Sequence, residues 1–79
     1  MITHRLEERY QGVLDQIAST AQAAGRSPEA VRLVVVTKGH PIETLEAVIA
    51  AGARRLGENY VEEAAPKIEA LRKQPGLEW

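Results

Sequence analysis

The chain has 79 residues, a formal net charge of −1, 44% hydrophobic and 4% aromatic residues, and no cysteine. One small domain is the ceiling at this length, burying only about 60% of its unfolded surface, and the near-zero charge argues against a nucleic-acid binder, which needs a basic face. Disulfides and thiolate metal sites are excluded, no apolar run approaches the roughly 20 residues of a membrane helix, and Met1 to Arg9 lacks a signal peptide's apolar stretch, so the expectation is a cytoplasmic α/β protein with neither nucleic-acid nor membrane partners.

In chain order, Leu6, Tyr10, Val13, Leu14, Ile17, Ala18 and Ala21 recur at spacings of three, four and one, which predicts an amphipathic helix from Thr3 to Ala24. Thr3 is its expected N-cap, Glu7 and Glu8 stand early, where the helix dipole favours anions, and Gly25 suits the left-handed residue past the end. Ser27-Pro28-Glu29 predicts one helical turn with proline at its first position. Leu33 to Thr37 is an unbroken apolar, β-branched run, the pattern of a central parallel strand covered on both faces. Ile42, Leu45, Val48 and Ile49 mark a second helical face, stopped by Gly52. Arg54 to Gly57 is weak as a strand on propensity and is expected there for its position between two helices. Tyr60 to Arg72 is helical again, with Val61, Ala64, Ala65, Ile68 and Leu71 on one face and a kink or break expected at Pro66. Leu77-Glu78-Trp79 begins a third, alternating strand.

Helices alternating with strands across short connections predict right-handed βαβ units and a parallel sheet. Two strands and the start of a third cannot close a barrel or shield a sheet, so the chain reads as part of a larger domain, and its open edges predict self-association.

Within Val34-Val35-Val36-Thr37-Lys38-Gly39-His40-Pro41 the strand delivers a lysine at its C-terminal end, where parallel α/β folds gather their binding groups. Apolar residues beneath it would strip part of its hydration and lower its pKa, and a neutral amine is the nucleophile for imine formation. Gly39 would let a flat ligand approach the backbone. The competing reading is a solvated side chain at the rim. Glu62-Glu63 and Glu43-Glu46 read as solvated helix faces, His4 and His40 have no ligand spacing, so no metal site is expected, and Arg54-Arg55 is a weak phosphate signal.

This octapeptide, followed by Gly57-Glu58-Asn59-Tyr60-Val61-Glu62-Glu63-Ala64, resembles the pyridoxal phosphate homeostasis protein family, itself similar to the N-terminal barrel of alanine racemase. The resemblance covers nearly the whole chain and implies the N-terminal part of a (β/α)8 TIM-type barrel, residues 1–79 being a fragment of one pyridoxal 5'-phosphate-binding domain. It implies that Lys38 carries the cofactor as a Schiff base, that Asn59 faces the cofactor pocket, and that the function is intracellular cofactor homeostasis without an assigned reaction. Asn59 reads equally as the N-cap of the following helix, and for Glu58 and Tyr60 packing or support outweighs direct chemistry. Many family members carry a second lysine where this chain has His40, and the residues that grip the cofactor phosphate lie in later strands. Two alternatives stand beside this reading. A racemase-like enzyme needs a base on each face of its substrate, and only Lys38 offers itself; a partial barrel can instead serve as a non-catalytic interaction module.

Overall fold

A computed structural model describes residues 2–79, with side-chain surroundings from residue 5 onward. The first helix, α1, runs Ile2–Ala23, so Glu7 and Glu8 fall beyond its first turn, and the Thr3 side chain, the expected cap, lies outside the described residues. At its C-terminus the Arg26 N–H donates to Ala21 O at 2.8 Å and the Gly25 N–H to Gln22 O at 3.0 Å. With Gly25 at φ 74°, this is the paired-bond stop of a Schellman motif, and it occurs where the glycine predicted it. Pro28–Ala30 forms a single 3-10 turn with proline at its start.

The sheet is short and parallel. Strand β1, Val35–Val36, pairs with β2, Leu56–Gly57, in the register Val35↔Leu56 and Val36↔Gly57. The Val35 N–H donates to Arg55 O at 2.9 Å and the Thr37 N–H to Gly57 O at 2.8 Å. On the far side of β2, Arg55 and Glu78 form a parallel bridge, with Leu56 N–H on Glu78 O at 2.9 Å and Glu78 N–H on Arg54 O at 2.8 Å. The expected third strand is therefore present as one bridge, and β2 is the middle element. Leu33 to Thr37, expected to be central, is an edge, because consecutive parallel crossovers add each strand beside the last.

Burial along that run alternates instead of being continuous. Thr37 is buried and Leu33 and Val35 are half-buried, whereas Val34 and Val36 are 52% and 58% exposed. The odd positions meet the helices and the even positions line an open face. Composition alone could not show this, since a valine run looks the same whether its second face is covered or not.

Helix α2, Ile42–Ala50, buries Leu45, Val48 and Ile49 as its spacing predicted. These three, with Ala53, Leu56 and Leu71, form the core; Leu6 and Tyr10 of α1, Val35, Ile42 and Leu77 pack against it. Helix α3, Val61–Ala70, continues through Pro66 as one element and is not split into two helices there. The N–H that proline lacks would have bonded the carbonyl of Glu62, an exposed residue in the first turn, where water can serve it. The face of α3 that meets the sheet is the expected one only in part. Val61 is 78% exposed and Ile68 38%, while Leu71 and Lys67 are buried. The reason lies in what Lys67 meets.

Candidate functional site

Lys38 stands two residues past β1, in the turn Thr37–His40, which is closed by the His40 N–H on Thr37 O at 3.1 Å. Gly39, third in that turn, has φ 75°, a conformation in which a Cβ meets the neighbouring carbonyl. No atom lies within 4 Å of where a Cβ on Gly39 would stand, so the backbone is open to an approaching ligand. Lys38 is exposed; the desolvation expected from the strand beneath it is not supplied by the described residues.

Asn59 stands two residues beyond Gly57, as Lys38 stands two beyond Val36, and the pair Val36↔Gly57 puts both loops at the same end of the sheet. A Cβ on Gly57 would lie 3.2 Å from Val34 Cγ1, which confirms that Gly57 shares the open face with Val34. Asn59 is exposed in a bend, and the N-cap of α3 is Tyr60, without a side-chain bond. The capping role weighed for Asn59 is thereby corrected: the extended backbone at Tyr60, φ −128° and ψ 138°, takes the cap one residue later. A groove of about 300 Å³, lined by Val34, Leu56, Gly57, Glu58 and Trp79 among others, runs along the open face.

Beneath this mouth lies a polar cluster that the sequence reading assigned to solvent. The Lys67 side chain is 10% exposed and that of Glu58 4%. The Lys67 ammonium donates to Glu58 Oε1 at 2.9 Å and Oε2 at 3.0 Å, to Glu63 Oε1 at 3.1 Å and to Thr37 O at 3.2 Å. The Thr37 hydroxyl donates to Glu58 Oε2. Glu63 Oε1 also accepts the Gly39 N–H at 2.5 Å. Glu58 and Glu63, taken from sequence as supporting or solvated, thus join Lys67 in one network. The signal that pointed to it was the Glu63, Lys67 spacing of four on a helix; its burial depends on β1 and β2 packing over α3, which no local pattern contains.

Burial pulls the Lys67 ammonium down, but hydrogen bonds to Glu58 and Glu63 and their charges outweigh it, so its pKa lies above the ordinary 10.5. The Gly39 N–H, and then Lys67, hold the Glu63 carboxyl below its ordinary 4.5. A lowered acid contributes stability above its unfolded value and loses it as pH falls through the folded one; a raised base contributes below its unfolded value and loses it as pH rises through the folded one. The melting temperature should therefore be flat from about pH 5 to 10 and fall on either side. Thermal melts across pH check this, and Glu63→Gln should flatten the acid limb.

Arg54 and Arg55 are spoken for at the opposite end of β2. Arg54 Nη1 bonds Ile49 O at 2.9 Å and Ala53 O at 2.7 Å, completing the end of α2, and Arg55 Nε pairs with Glu78 at 3.0 Å. Neither is a phosphate ligand for the Lys38 mouth. Among the described residues no helix is long and apolar enough to cross a membrane.

No family model matches the chain. It is 40% identical over 80 residues to the pyridoxal phosphate homeostasis protein of Escherichia coli K12, covering 99% of this chain and 32% of that protein. The protein of the same name from Pseudomonas aeruginosa PAO1 is 40% identical over 74 residues, covering 94% and 32% respectively. That of Synechocystis PCC 6803 is 46% identical over 52 residues, covering 66% and 24%. Among solved structures, PipY of Synechococcus elongatus PCC7942, solved without PLP, superposes with a TM-score of 0.61 at 36% identity, covering 80% of this chain and 29% of that one. The chain is a homologue of these proteins and spans about a third of the length of the curated relatives it matches.

Proposed function

We propose that this chain, as a homologue of the pyridoxal phosphate homeostasis proteins, forms the lysine-bearing part of a (β/α)8 barrel domain and serves intracellular cofactor homeostasis by holding pyridoxal phosphate as a Schiff base on Lys38. The observation that carries the reading is the position of Lys38: exposed, in the turn that follows the C-terminal end of a parallel strand whose Val34 and Val36 line an open face. Further strands closing over Val34 and Val36 would make that face a barrel interior.

The residues fit the cofactor on three counts. Lys38 is exposed, the Gly39 backbone is open where a Cβ would stand, and Asn59 offers an exposed amide at the same end of the sheet to a polar ring edge. Pyridoxal phosphate supplies an aldehyde, an aromatic ring and a phosphate dianion. When bound, it would supply an aldehyde that can be joined to a lysine amine as an imine, and Lys38 and Asn59 would be the residues of this chain that hold it. Phosphate retention is another matter. The first turn of α2 carries Glu43 and that of α3 carries Glu62 and Glu63, which set negative charge where a helix N-terminus would otherwise attract an anion. The 79-residue chain should therefore form the Schiff base but hold the cofactor weakly.

Mixing the chain with pyridoxal phosphate should develop the absorbance of a lysine Schiff base, and Lys38→Ala should cut it several-fold, leaving the slower reaction of other amines. An unchanged absorbance in Lys38→Ala would remove Lys38 from the account.

A further inference from the structure

The Lys67 network does more than neutralise buried charge, because its two contacts with the β1 end fall on either side of one residue. The peptide group before Lys38 is held through its carbonyl, Thr37 O, by the Lys67 ammonium at 3.2 Å. The peptide group after it is held through its amide, Gly39 N–H, by Glu63 Oε1 at 2.5 Å. Glu63 and Lys67 are one turn apart on α3 and bonded to each other at 3.1 Å. Glu58, through both its oxygens, fixes Lys67 from the other side and takes the Thr37 hydroxyl.

We infer that Glu63 and Lys67 are positioning residues for Lys38: α3 grips the two peptide groups that flank it and so fixes the direction in which its side chain leaves the backbone. Two peptide planes determine φ and ψ of the residue between them, and with them the Cα–Cβ vector. The turn closed by His40 N–H constrains the far end of the loop but leaves the Lys38–Gly39 peptide free to rotate; the Glu63 carboxylate removes that freedom. Lys67, as the only described amine buried in acids beneath the mouth, is committed to this task and is not a competing nucleophile. The inference rests on the reading of Lys38 as the Schiff-base lysine, and the benefit it describes is an entropic one, a reactive group held in place before the ligand arrives.

The test compares the wild-type chain with Glu63→Ala, Glu63→Asp and Glu63→Gln. Each is exposed to limiting pyridoxal phosphate, reduced with borohydride and mapped by peptide mass, and the yield at Lys38 is divided by that at Lys73, an exposed lysine in the same molecule. Glu63→Ala should lower this ratio roughly tenfold, the worth of one charge-assisted hydrogen bond. Glu63→Asp keeps the charge and the fold but is a methylene too short to span both partners, and should lower it likewise. Glu63→Gln keeps the reach and an acceptor oxygen, and should stay close to wild type. Gly39 amide exchange should quicken in the alanine and aspartate variants while the amides of α2 stay unchanged, which a general loss of stability would not produce. A wild-type ratio retained in folded Glu63→Asp overturns the clamp and leaves the Lys38 reading intact. A wild-type ratio near one overturns the Lys38 reading itself.

Discussion

Lys67→Met should lower the melting temperature by more than any other single change at the site, by roughly 10 °C or more. The substitution keeps the stem that packs against the sheet and deletes the charge. Glu58, whose side chain is 4% exposed, would then keep its carboxylate in a buried position without the ammonium that takes both its oxygens. Thr37 O and Glu63 lose the same donor. Removing one partner of a buried pair is far worse than removing both, so Glu58→Gln combined with Lys67→Met should recover most of the loss. Thermal melts of the two single variants and the double variant complete the cycle. Additive losses in the double variant would mean that the two side chains do not act as a pair.

The second large effect is expected at Leu45, which is fully buried where α2 meets β2 and the end of α3. Leu45→Ala empties a fully buried leucine site in a core that, among the described residues, has only five other buried members, so little can collapse into the space. The loss should be about 2–5 kcal/mol. Set against the roughly 4–12 kcal/mol that a domain of this length holds in total, this is a large fraction of the stability and should lower the unfolding midpoint markedly. Urea titration followed by helical circular dichroism measures it. At Val61, 78% exposed on α3, the same truncation to alanine should change the midpoint little.

Much of this was legible before any coordinates. Helix α2 and its three buried residues follow from a 3.6-residue period, and the end of α1 follows from Gly25, because both are decided by local backbone chemistry. Lys38 at a strand's C-terminal end followed from an apolar run broken by Gly39 and Pro41. What was not legible depends on which elements become neighbours. The alternation of Val34 and Val36 with Val35 reflects helices on one side of the sheet only. The edge position of β1 reflects Glu78 pairing with the far side of β2. Of the apolar positions expected to form the buried face of α3, Leu71 is buried, whereas Val61 and Ile68 are exposed and Lys67 takes the remaining buried place, because Glu58 arrives after β2 with a buried carboxylate that Lys67 pairs. A lysine at helical spacing from a glutamate is ordinarily a surface pair, and here tertiary packing overrode that expectation.

Lys38 is the proposed point of attachment of pyridoxal phosphate. The most direct measurement is a peptide map of the wild-type chain after exposure to substoichiometric cofactor and borohydride reduction, which turns the Schiff base into a stable secondary amine. The expected result is label concentrated on the peptide carrying Lys38, with little on Lys73 and less on Lys67, whose ammonium is held by two carboxylates. Label shared evenly between Lys38 and Lys73 would mean that the strand end, the turn and the clamp beneath it confer nothing on that amine, and would contradict the account.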